Sequence, residues 1–66
     1  MKMVNDLGHA KMFEGSKGEA VITRNYGNCD KKDYWSVAVR VNGKYKKLAT
    51  RTDYTKAVAM AEAAIA

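Results

Sequence analysis

The residues best placed to do chemistry in this 66-residue chain are Arg40, Lys47 and Arg51, with Tyr34 and Tyr45 among them. All five lie in the stretch YWSVAVRVNGKYKKLATR, residues 34–51. An arginine guanidinium can give two parallel hydrogen bonds to guanine O6 and N7, and lysine meets phosphate as a compact charge. Tyrosine adds a flat ring with a polar tip. This set suits an anionic partner, either nucleic acid or an acidic protein surface with Arg and Tyr as anchors. The plain alternative is a solvated sheet face.

The other reactive groups are too scattered for catalysis. Asp30, Asp33 and Asp53 are spread over a loop and a helix cap, and His9 is the only histidine. A general base must reach its proton inside a formed site, and a chain this short has little room for a pocket of about 300 Å3 or more. The chain therefore reads as a non-enzyme. His9 and Cys29 are too few for a zinc site, so neither metal nor cofactor is expected. Lys31 and Lys32 stand beside Cys29 and would lower its thiol pKa, but a loop thiol needs no role. GSKG, residues 15–18, lacks nucleotide-loop spacing and reads as a hairpin turn, with Lys17 able to add a phosphate contact.

The elements that position these residues follow from turn signals and periodicity. Asn42-Gly43 between two extended runs calls for a type I′ hairpin turn. A two-residue loop sets Val41 against Lys44, Arg40 against Tyr45, Val39 against Lys46, Ala38 against Lys47 and Val37 against Leu48. Side chains alternate across a sheet. Trp35, Val37, Val39, Val41, Leu48 and Thr50 then share a core face. Tyr34, Ser36, Ala38, Arg40, Tyr45, Lys47, Ala49 and Arg51 share the other. Lys44 and Lys46 fall on the core side, where their stems can cover apolar surface while the ammonium stays wet.

Residues 53–65 form a helix, capped by Thr52 or Asp53. Tyr54, Ala57, Val58, Ala61, Ala64 and Ile65 make its buried stripe, while Lys56, Ala59 and Glu62 face out. EAVITRNY, 19–26, reads as a strand with either Ala20 and Ile22 or Val21 and Thr23 inward, the first pair being preferred, and HAKMFE, 9–14, pairs with it across GSKG. Another turn falls at 26–33. The expected fold is α+β: an antiparallel sheet of three or four strands on one C-terminal helix, in two layers. Residues 1–66 make one small domain, with residues 1–8 as a flexible N-terminal segment.

Twelve Lys and Arg stand against seven Asp and Glu, giving a net charge of +5 and a pI near 9.5. That surplus favours an anionic partner, with Arg24 and Lys44 joining Lys17 as accessory phosphate contacts. No run of 18 apolar residues is present, so no membrane span is expected. A single cysteine fits a reducing compartment, the cytoplasm. Met1 and the short length point to a complete small gene product. With so small a core and no intrachain disulfide, a homodimer is a further candidate assembly.

Tyr34, Trp35, Val37, Val39, Gly43, Lys44, Leu48, Thr52, Ala57, Ala61 and Glu62 follow a recognisable order: an aromatic-led strand, a Gly-Lys turn, a basic strand, then a capped alanine-rich helix. This order resembles the arm-type DNA-binding domain of phage tyrosine integrases, and the plant ethylene-response-factor domain has the same plan. The match covers residues 34–65. It implies a sheet whose exposed face enters the major groove, with Arg40, Tyr45, Lys47 and Arg51 as contacts and a phage origin. The double-stranded RNA-binding domain is similar in outline, but its basic cluster at the helix start is replaced here by Thr52-Asp53-Tyr54-Thr55-Lys56. The chain also resembles the small podophage inhibitors of host RNA polymerase, which implies a module that inhibits or adapts a host enzyme, the polymerase or a defence complex. The expected function is binding of duplex DNA; the alternative is docking on an acidic host protein surface.

Overall fold

The computed structural model describes residues 1–26 and 33–66. Asp30, Cys29 and its neighbours Lys31 and Lys32 lie outside the described residues, as does the turn read between strands there. The elements in chain order are β1 (Lys2–Asp6), β2 (Ala10–Glu14), β3 (Gly18–Tyr26), β4 (Asp33–Val41), β5 (Lys44–Thr52) and α1 (Tyr54–Ile65). The strands form one antiparallel sheet in the order β1-β2-β3-β4-β5. The helix packs on one face of it, mainly against β4 and β3. The α+β expectation holds, but the sheet has five strands rather than three or four.

Alternation selects the core. Ala20 and Ile22 of β3 and Val37 and Val39 of β4 point toward the helix and are buried, together with Phe13 of β2. They meet Ala57, Ala61 and Ile65 of α1. Alanine at the contact lets the helix axis lie close to the sheet, and Trp35, Leu48, Tyr54 and Val58 fill the margins. The Trp35 and Tyr54 rings meet edge-on, with centroids 4.9 Å apart at 61°, a geometry that adds to simple burial.

The hairpin register is as expected near its turn. Asn42 and Gly43 have φ of 54° and 77°, as the type I′ turn requires. Val41 pairs with Lys44, Arg40 with Tyr45, Val39 with Lys46 and Ala38 with Lys47. Further along, the register departs from expectation. Val37 pairs with Ala49, not Leu48, and Trp35 pairs with Thr52, because bulges interrupt β5 on either side of Val37. Each bulge inserts a residue and shifts the side chains beyond it. Ala49 therefore packs against the core instead of the open face, and Thr50, expected inside, is exposed. The second bulge returns Arg51 to the open face, where its guanidinium carbon sits 5.4 Å from the Tyr34 ring centroid.

The helix ends are fixed locally. Asp53 is the N-cap, in extended backbone conformation, and its carboxylate accepts from the Lys56 N–H at 2.8 Å. At the other end the Lys17 N–H donates to the Ile65 carbonyl at 3.0 Å. The GSKG turn, closed by the Gly15 N–H to the Gly18 carbonyl at 2.9 Å, is thus a clasp on the helix terminus. It satisfies a carbonyl that the helix itself leaves open. A Cβ on Gly15 would collide with the Ile65 carbonyl oxygen.

β1 is the strand that sequence periodicity does not announce. All five of its residues are exposed. Its register shifts between Met3 and Asn5. The link to β2 is held by the Leu7 N–H to the Ala10 carbonyl at 2.8 Å. The Lys11 ammonium also meets both Asp6 carboxylate oxygens, at 2.9 and 3.0 Å.

Candidate nucleic-acid interface

Among the described residues no element covers the sheet face opposite α1. Tyr34, Ser36, Ala38 and Arg40 of β4 alternate onto it, since Trp35, Val37 and Val39 are turned inward. Tyr45 and Lys47 of β5 join them as the direct partners of Arg40 and Ala38. Tyr45 is 70% exposed, and Arg40, Lys47 and Arg51 are also exposed. The structure thus brings together Tyr34, Arg40, Tyr45, Lys47 and Arg51 on one half of one surface. Arg51 rests beside the Tyr34 ring, which limits the orientations of the guanidinium and leaves less to order on binding.

The accessory cations divide. Lys44 is exposed beside the hairpin turn, across from Val41 and on the helix side. Lys17 lies in the β2–β3 turn, at the same end of the sheet, since Gly18 pairs with Val41. Arg24 pairs with Trp35 on the helix side and is half-buried, so it is not part of the open face. Lys46 also lies on the helix side, across from Val39, and is exposed.

Charge is unevenly placed. Residues 33–52 hold Arg40, Lys44, Lys46, Lys47 and Arg51 against Asp33 alone, a surplus of four within a net charge of +5. The β2–β3 half of the open face is different. Glu14 and Glu19 sit there as direct cross-strand partners, flanked in the same row by Lys2 across from Glu14 and Arg40 across from Glu19. A depression of about 300 Å3 spans the boundary between the two halves, lined by Glu14, Glu19, Arg40 and Tyr45 as well as by Val4, Met12, Val21 and Ala38. Sequence reasoning expected little room for a hollow of this size and did not place the glutamates. A signal for them was present, because Glu14 and Glu19 flank GSKG symmetrically and a hairpin there must pair them.

Elsewhere, the Asp6 carboxyl is held below its ordinary value, first by the Lys11 hydrogen bond and then by the Gly8 N–H. The same ammonium is 6.0 Å from the Tyr54 ring centroid. This cluster lies on the helix side and serves the β1–β2 turn. Among the described residues no group of three or more His, Cys, Asp or Glu side chains could hold a metal ion, and no helix is long and apolar enough to cross a membrane. No protein-family model, curated protein or solved structure matches the chain.

Proposed function

We propose that this domain binds duplex nucleic acid, DNA in the first instance, through the β4–β5 half of its open sheet face. The observation that carries this reading is the gathering of Arg40, Lys47 and Arg51 with Tyr34 and Tyr45 on a surface that no other described element covers. A two-stranded ribbon fits the major groove, where Arg40 and Arg51 can address base edges and Lys47 the phosphates. Ser36 and Ala38 are small and allow close approach. Glu14 and Glu19 repel phosphate, so the footprint stays on β4 and β5 and does not extend to β2.

The test is fluorescence anisotropy with a short duplex over a salt series. Neutralising about three to five phosphates gives a log–log slope of roughly −3 to −4.5. Absence of binding at low salt removes the reading. The alternative, a module that docks on a host protein, has in its favour the depression, where Met12 and Val21 lie beside Glu19 and Arg40. It requires a stoichiometric complex, recovered from host lysate, that survives nuclease digestion.

A further inference from the structure

The open face is split by charge along the line between β3 and β4. On the β2–β3 side, Glu14 and Glu19 are direct partners, with Lys2 of β1 across from Glu14 and Arg40 of β4 across from Glu19 at the two flanks of the pair. Like charges so placed cost stability, and neither glutamate has an ion pair among the described residues. On the β4–β5 side, Arg40 and Tyr45 are direct partners in the same row, and neither has an ion pair among the described residues. The next row runs Met12, Val21, Ala38, Lys47 from β2 to β5. Lys2 and Arg40 are neighbours of these carboxylates within the sheet, yet neither closes an ion pair with them among the described residues, so Glu19 and Arg40 are both left able to pair with a facing surface.

A two-fold axis between two facing copies, running along the strands at the β3–β4 line, exchanges these halves and keeps the rows. Glu19 then lies opposite Arg40 of the second copy, and Glu14 opposite Tyr45. Val21 lies opposite Ala38, and Met12 opposite the aliphatic stem of Lys47. Each contact occurs twice, as an isologous interface requires. Facing sheets stack about 10 Å apart with interdigitating side chains. With the axis there, β1 has no strand facing it and four strands overlap; at about 4.8 Å spacing and at most about 30 Å long they give at most about 580 Å2 per partner, below the roughly 800 Å2 of a standard interface and in the range of a weak, reversible one.

We propose that two copies of this chain pair through their open faces, and that pairing and nucleic-acid binding exclude each other because Arg40, Tyr45 and Lys47 serve both. The exclusion rests on the function proposed above; the pairing does not. Free protein at high concentration would then be self-masked, and dilution or nucleic acid would open it.

Sedimentation velocity on the full chain without nucleic acid, across a concentration series, tests the pairing. A reversible monomer–dimer equilibrium is expected. Glu19→Arg and Arg40→Glu should each weaken the dimer at least tenfold, and the double variant should restore it, since the exchanged charges face each other again. Circular dichroism checks the fold, because each single reversal also sets like charges opposite within one sheet. Should either unfold, Met12→Lys replaces it, setting an ammonium against Lys47 of the second copy at an exposed position. A monomer at every concentration, or a dimer indifferent to these changes, overturns the pairing. Duplex titrated into the dimer should dissociate it, and a dimer that persists at saturating duplex overturns the exclusion. Duplex that never binds refutes the nucleic-acid reading and the exclusion with it, while the sedimentation series still decides the pairing.

Discussion

Removing a single positive charge from either side of the molecule separates a built interface from mere net charge. Lys47 is exposed on the open face, and Lys56 is exposed on the solvent side of α1, with helix and sheet between them. Lys47→Ala and Lys56→Ala change net charge equally. Neither side chain is buried, so each variant should keep its stability within about 0.5 kcal/mol. If Lys47 neutralises one phosphate, its loss reduces the salt slope by about 0.9. Taking about 1 M salt as the point where counterion release contributes nothing, affinity falls about eightfold at 0.1 M and about sixtyfold at 0.01 M. Lys56 is separated from the open face by both helix and sheet in a molecule whose shortest extent is 18 Å, so at 0.1 M salt and above, where the screening length is about 10 Å or less, its slope should match the parent. The assay is anisotropy with one labelled duplex at several salt concentrations. Equal slope changes in the two variants would mean diffuse attraction to a basic protein, and the face assignment would be wrong.

Gly15→Ala should destabilise the domain by about 1–3 kcal/mol, because the added methyl meets backbone at the helix terminus and not a movable side chain. The fluorescence of Trp35, the only tryptophan, reports the shift in a denaturant titration. Asp6 titrates lower in the folded chain than its ordinary 3.8. Its stabilising contribution is therefore whole above pH 3.8 and is lost as pH falls through the lower folded value. Asp6→Asn should flatten the acid limb of the stability curve and leave the limb above neutrality unchanged; an unchanged acid limb would rule out a role for the Lys11 pair.

The parts of this fold legible in the sequence are those with strong local chemistry. Asn42-Gly43 dictates the β4–β5 turn, and Asp53 before an alanine-rich run dictates the helix start. For β3 the sequence favours Ala20 with Ile22 over Val21 with Thr23 without deciding between them, because Val21 is apolar too; the structure buries Ala20 and Ile22. The parts that were not legible depend on contacts distant in sequence. β1 has no buried face to leave an alternating trace, and exists by pairing with β2. The β5 bulges involve residues with no distinguishing turn chemistry, so a uniform register misplaced Ala49 and Thr50. Arg40, Tyr45 and Lys47 could be read from the hairpin turn alone, whereas Arg51 reaches the open face only because the two bulges offset each other. The opposing glutamates required knowing that β2 lies in the same sheet.

Both outermost strands are broken by bulges, β1 around Val4 and β5 beside Leu48 and again near Thr50. A strand from another molecule needs an unbroken row of amides and carbonyls to continue a ladder, and a kinked margin studded with lysine denies it that template. The sheet is thereby closed to lengthening sideways into filaments, even though its flat side remains available. Stock solutions should stay free of fibrils at concentrations where an uninterrupted edge of the same composition would nucleate them.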